Sequence, residues 1–180
     1  MGNAFVGTAT PYYRNHGHFY LESNNIKNGA INFQKRIFIT DDFYQRQKNN
    51  WLHTNDLVMV QSGHVGHTAV IPKSMNNTAA HAVIIFSQPK LSIDTYFLNY
   101  YFQTRKAKRN ISVITTGNTI QHILASEMQK FKVPYTDLKE QHLLHELLVD
   151  LDGLIAANEQ DQKQTFKITK NISSLMLMIV

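Results

Sequence analysis

Residues 137–164, DLKEQHLLHELLVDLDGLIAANEQDQKQ, decide how the rest of the chain must be organised. Leu144, Leu147, Leu151 and Leu154 recur every three to four residues, with Leu143, Leu148 and Ile155 beside them. That spacing is a coiled-coil seam on one long amphipathic helix. Asp137 with Glu140 three residues on is a capping-box variant, so the helix begins there. No other segment offers a matching helical stripe, and the seam therefore needs a helix from a second polypeptide, or from a second copy, to cover it. Asn158 falls on the seam by heptad continuation from Leu144 and Leu151, where a polar residue fixes register. Asp161 and Thr165 then occupy positions where apolar residues are wanted, so the far end is expected to fray or to meet another protein.

Working outward, a chain of 180 residues with 43% hydrophobic content can bury one core. The expected organisation is a globular domain over residues 1–134 and a helical segment over 135–180. The charge divides in the same place. Residues 1–133 carry 14 Lys/Arg against 6 Asp/Glu, a balance of +8, whereas 134–180 carry 4 against 7, a balance of −3. A basic body points to a polyanion partner, with phosphates the commonest choice. The absence of cysteine excludes disulfides, thiol catalysis and thiolate metal sites, and fits a reducing compartment. Residues 1–10 lack the basic start and apolar run of a signal peptide, and the closing apolar run 175–180 is too short to span a bilayer. A cytoplasmic location is expected.

The body reads as mainly antiparallel β with packed helices, an α+β class. Asn28-Gly29 is its strongest hairpin signal. Strands are expected at 30–33, 36–39, 57–60, 67–71, 81–86 and 111–114, with none evident ahead of Gly7, which invites the expectation of a truncated start. Residues 41–50 read as a polar helix or loop ending at Trp51. Ser92 or Asp94 can cap a helix running to about Lys108, and 126–130 reads as a helical turn. The cations Arg105, Lys106, Lys108 and Arg109 would then close that helix, where its dipole favours them.

The search for chemistry is largely negative. Gly63-His64-Val65-Gly66 is too short for a phosphate-loop or dinucleotide fingerprint, and no nucleophile elbow or His-Glu-x-x-His occurs. The histidine pairs His16/His18, His64/His67 and His142/His145 lack the third and fourth ligands that zinc requires, so no metal is expected. What stands out is the content of the loops. Arg14-Asn15-His16, Asn24-Asn25 with Lys27, Gln61-Ser62 with His64, Asn76-Asn77, and Asn118-Thr119 with Gln121 carry amide, hydroxyl and imidazole groups that match base edges. Lys73, Arg105, Lys106, Lys108 and Arg109 are the candidates for phosphate contact.

The order of these features resembles the specificity subunit of type I restriction-modification systems. Residues 21–29, ending in Asn25-Ile26 and Gly29, resemble one segment of that family. Leu52-x-x-Asn55-Asp56-Leu57, followed by Gly63-His64-Val65-Gly66, is similar to its Leu-x-x-Gly-Asp strand and Gly-x-x-Gly turn, with Asn55 in place of the usual glycine. Residues 116–134 resemble the close of a target recognition domain, and Glu140-Gln141 the pair that opens the conserved spacer helix. The likeness covers roughly residues 10–160. Members normally contain two recognition domains and two spacer helices, so this chain resembles half a subunit.

The resemblance implies a sequence-specific double-stranded DNA recognition subunit without catalysis of its own. Its partners would be DNA, a methyltransferase subunit holding S-adenosylmethionine, and indirectly a restriction subunit that hydrolyses ATP. Two halves, joined through Leu144, Leu147, Leu148, Leu151, Leu154, Ile155 and Asn158, would together read a bipartite site. Two other classes remain open at this point: a regulatory half-subunit that pairs with a full-length specificity subunit, and a metal-dependent enzyme.

Overall fold

A computed structural model describes residues 1–87 and 92–179, with side chains of the last helix described to residue 168. The chain forms two compact units, Met1–Gln141 and His142–Val180. In order, the elements are β1 (Gly2–Asn3), β2 (Tyr13–Arg14), β3 (His18–Leu21), β4 (Ile26–Lys27), β5 (Ala30–Ile31), β6 (Ile37–Ile39), α1 (Asp41–Arg46), β7 (Leu57–Val60), β8 (Thr68–Val70), β9 (Ala79–Ala80), β10 (Val83–Phe86), α2 (Thr95–Gln103), α3 (Arg105–Ile114), α4 (Ala125–Met128) and α5 (Leu138–Ile179). One sheet has the order β1-β10-β7-β8 and is antiparallel throughout. A second, β2-β6-β3-β9, is antiparallel except where β3 meets β9. β4 and β5 form a separate ribbon.

β7 explains the core. Its four residues, Leu-Val-Met-Val, are all buried, and alternation sends them to opposite faces of the sheet. Val58 and Val60 join Leu21, Ile26, Leu52 and Ile71 on one side. Leu57 and Met59 join Leu98, Phe102, Ala107 and Ile111 from α2 and α3 on the other. A strand covered on both faces reads as a continuous apolar run, and each such side chain stabilises the fold by roughly 1.5–3 kcal/mol relative to exposure. A third cluster packs Tyr20 and Ile39 of the second sheet against Phe43 of α1.

The Asn28-Gly29 expectation holds in detail. Lys27 pairs with Ala30 across a two-residue turn whose central residues have φ of 52° and 81°. Two positive φ values are what the right-handed strand twist demands of so short a connection. Asn55, standing where the resembled motif has glycine, also has a positive φ, 68°. Asparagine tolerates the left-handed region better than most residues, so the turn survives the exchange. Asp56 closes it by accepting from the His53 N–H at 2.8 Å.

Several expectations need correction. A strand does precede Gly7: Gly2 and Asn3 pair with Ile85 and Ile84 at the sheet edge. The single helix expected from Asp94 to Lys108 is two helices. Asp94 caps α2 by accepting from Tyr96 and Phe97 N–H groups, but Thr104 is extended and caps a new helix by accepting from the Ala107 N–H at 3.2 Å. Residues 111–114 are the end of α3, not a strand, because Ile111 packs inward one turn after Ala107. A four-residue apolar run fits either element by periodicity alone.

α5 begins as the capping residues require, with Asp137 Oδ1 accepting from the Glu140 N–H at 3.0 Å. Its length exceeds the seam. The helix does not end near Gln164 but continues to Ile179. Leu143, Leu144, Leu147, Leu151, Leu154 and Ile155 are all exposed, Leu154 by 67%, while Leu148 is half-buried. Asn158 is exposed and accepts from the Gln162 amide one turn on, at 3.2 Å. The His142 and His145 rings lie 5.6 Å apart on one face. The apolar run 175–180 lies outside the residues whose side chains are described. Among the described residues, no helix is long and apolar enough to cross a membrane.

Candidate nucleic-acid interface

The break at Thr104 changes the meaning of the cations. Arg105, Lys106, Lys108 and Arg109 occupy the first half of α3 rather than the last turn of a longer helix, and all four are exposed. Unpaired N–H groups give that end a partial positive charge, so the dipole disfavours cations there. The first turn holds no acidic residue, and among the described residues no carboxylate pairs with any of the four. Their stabilising explanation is therefore gone. Ala107 and Ile111 pin the helix to the core, so the charge is displayed from a rigid support.

Two loops flank α3 and are fastened to each other. Val60 and His67 close the first, with Val60 N–H donating to the His67 carbonyl at 2.8 Å. Gly66 has a φ of 83°, and a Cβ there would stand 2.9 Å from Ile111 Cγ2, so glycine permits the loop to lie against α3. Thr116 and His122 exchange two backbone hydrogen bonds that close the second loop. Its Gln121 carbonyl accepts from the Gly63 N–H at 3.0 Å, and Ile123 N–H donates to the Gln61 carbonyl at 3.0 Å. The ribbon reaches the same place: Asn28 N–H donates to His67 Nδ1 at 3.3 Å. A buried network fixes it there, with Asn99 Nδ2 donating to the Gly29 carbonyl, Thr68 Oγ1 to Asn99 Oδ1, and Gln103 Nε2 to Thr68 Oγ1.

Between these elements lies an open depression of about 280 Å³, lined by Val65, Gly66, His67, Lys108, Ile111, Ser112, Thr115 and Gln121. Its electrostatics register in one ring. Burial lowers the pKa of His67, and the neighbouring charges of His64, Lys108 and Lys27 lower it further. Burial first, and the positive neighbours second, disfavour the charged imidazolium.

The candidates from sequence thus fall into two sets. Lys27, Gln61, Ser62, His64, Asn118, Thr119, Gln121, Lys108 and its α3 neighbours belong to the elements around the depression. Ser62 bridges to His122, and Asn118, Thr119 and Gln121 are exposed in the closed loop. Arg14, Asn15 and His16 sit instead at the β2–β3 turn, with Arg14 Nη1 donating to the carbonyls of Pro11 and Tyr13. Asn24 is exposed in the short helical turn after β3, whereas Asn25 in the same turn is buried and its amide is fully occupied. Asn25 Oδ1 accepts from the Glu22 N–H, and Nδ2 donates to the carbonyls of Asn32 and Lys35. Asn76 Oδ1 accepts from the Thr54 N–H at 3.1 Å, and Asn77 supplies a positive φ of 64° to the same turn. Lys73 is exposed in the short helical turn before them. None of these residues lines the depression. Sequence reasoning did not place His67, Ser112 and Thr115 in the interface. His67 was visible only as half of a metal-like pair, and the other two became neighbours when α3 proved helical.

The family profile described as "Type I restriction modification DNA specificity domain" matches residues 7–166. The type I restriction enzyme MjaVIII specificity subunit of Methanocaldococcus jannaschii is 23% identical over 164 residues, covering 87% of this chain and 38% of that protein. A putative type I restriction enzyme specificity subunit, S.HindORF215P of Haemophilus influenzae, is 26% identical over 149 residues, covering 77% and 37%. The chain therefore spans well under half the length of these relatives. Among solved structures, the type I S subunit from M. genitalium superposes with a TM-score of 0.54 at 18% identity, over 85% of this chain and 36% of that one. A chain from a study of complex assembly and conformational transition of the type I R-M system gives 0.65 at 18% identity, over 92% and 38%. These two superpositions carry the fold.

Proposed function

The chain belongs to the type I restriction modification DNA specificity domain family, and from that premise we propose that it recognises a DNA sequence on behalf of a methyltransferase and restriction complex. It contributes no chemistry of its own. A methyltransferase subunit supplies S-adenosylmethionine, and a restriction subunit joins through it and supplies ATP hydrolysis, in the cytoplasm where the DNA lies. The observation that carries this reading is the unpaired cationic start of α3, held rigidly beside the polar loops 61–67 and 116–122. Lys106, Arg109 and their neighbours hold phosphates, which positions the protein, while Asn118, Thr119, Gln121 and Ser62 test base edges. The turn residues Arg14, Asn15, His16 and Asn24 and the exposed Lys73 are a second, separate contact region in this reading. Asn25, Asn76 and Asn77 shape turns.

The exposed leucines of α5 support a further step, the pairing of two such chains through their helices. Each chain then reads one part of a bipartite site, and two identical chains read a palindrome. The experiment is to purify the chain with its cognate methyltransferase and map methylated positions. Exchanging residues 10–133 for another recognition domain should redirect methylation, and an unchanged pattern defeats the proposal. Binding to duplex should also weaken steeply as salt rises, since each phosphate contact releases counterions.

A further inference from the structure

Base reading leaves one part of the interface without a role. His67 Nδ1 accepts from the Asn28 N–H, so the neutral ring carries its proton on Nε2 and is a donor there. Lys108 and Ser112, one helical turn apart, line one wall of the depression, and Gln121 stands on another. The charged groups that act on His67 come from each side: Lys27 from the ribbon, His64 from its own loop and Lys108 from α3. None of them is acidic. From α2, Asn99 and Gln103 approach the same strand and ribbon and are uncharged. The lining thus offers one cation, Lys108, and several donors, with no carboxylate, around a space of about 280 Å³, and Lys27 and His64 add positive charge acting on His67. A water molecule needs about 30 Å³, so a phosphate fits with part of its hydration shell.

We propose that this depression seats one phosphodiester of bound DNA, and that seating it draws a proton from solvent onto His67. The inference rests on the DNA-binding reading above. The anion offsets the neighbouring cations that, after burial, disfavour the charged ring, and His67, which lines the depression, offers Nε2–H as a donor. The incoming proton takes Nδ1, and the 3.3 Å bond from Asn28 is what yields. Linkage fixes the sign. The bound ring holds its proton to a higher pH than the free ring, so affinity rises as pH falls between the two values. Each unit of separation between them is worth up to tenfold in affinity.

The test is an NMR titration of the His67 ring and the Asn28 amide on the full chain, alone, with a short DNA duplex, and with sulfate, an oxyanion of the same shape that does not titrate near neutrality. The expected result is a rise in the His67 pKa with duplex and a smaller rise with sulfate, accompanied by a shift of the Asn28 amide signal. Lys108→Gln should shrink both rises. Duplex binding that leaves His67 unmoved overturns the phosphate seat while the recognition reading stands. Sulfate that moves His67 in a protein indifferent to duplex at low salt preserves an oxyanion seat but overturns its DNA assignment together with the recognition reading. Full rises retained in Lys108→Gln place the anion elsewhere and overturn the proposal. The wild-type titration decides on its own if that variant is unfolded.

Discussion

Gln141 shows how much a single amide can be asked to do. It is fully buried, its Nε2 donates to the Thr136 carbonyl at 2.6 Å, and its Oε1 accepts from the Asp94 N–H at 2.9 Å. It therefore ties the start of α5 to the cap of α2, which gives a physical reason for a Glu-Gln pair at this point of the sequence. Gln141→Leu roughly keeps the volume and strands one buried and one half-buried backbone group. Stability should fall by roughly 2–5 kcal/mol, read as a lower urea midpoint at constant slope. Asp56 makes a different prediction. Burial raises its pKa, outweighing the bond from the His53 N–H and the charge of His53. A carboxyl with a raised folded pKa favours the folded state most when protonated, below its unfolded pKa, and that contribution is lost as pH rises through the folded value. Asp56→Asn retains the acceptor for His53. The variant should be more stable than wild type at neutral pH, and the gap should close in denaturation curves taken as pH falls through the carboxylate range.

At the level of elements, α3 separates stability from function. Arg105 and Lys106, in the first turn of α3, oppose its dipole, and in the proposed function bound DNA offsets that cost. Lys106→Glu, in the first turn, should raise stability by roughly 0.3–1 kcal/mol at low ionic strength. The same change should weaken duplex binding for all sequences alike and flatten its salt dependence by about one contact. Thermal melts and binding isotherms at two salt concentrations check both halves. A variant that gains stability with unchanged binding would return α3 to the status of an ordinary solvated helix. The length of α5 is also an element-scale result. Its backbone stays helical through Asp161 and Thr165, where the seam loses its apolar pattern, because helix propagation requires only local hydrogen bonding and not a continuous apolar face.

For the whole molecule, the consequential feature is an apolar helix face that the chain leaves in water. Leu147 is 56% exposed and Leu154 67%. In the proposed pairing, a second copy would supply an identical stripe and make a closed, isologous pair. Light scattering should report twice the mass of the 20.7 kDa chain, and Leu147→Glu with Leu151→Glu should return it to one chain with the first unit still folded. If the mass doubles only when a full-length specificity subunit is added, the chain is a regulator of that subunit rather than half of a symmetric reader.

The sequence by itself determined what rests on local rules. The Asn28-Gly29 hairpin, the buried run of β7 and the Asp137 cap of α5 depend on backbone preference and periodicity within a few residues, and all three were legible. The charge asymmetry and the motif order were legible too, and they pointed to DNA. Only the tertiary structure decided that Thr104 ends one helix and begins another, since a threonine reads equally well inside a helix or as its cap. That choice set the cations of α3 against the dipole and brought Lys108 to His67. It was also tertiary packing that buried Asn25 and occupied its amide. An amide presented to a base and an amide folded back on its own backbone have the same letter, and what distinguishes them is which donors and acceptors the rest of the chain leaves unsatisfied.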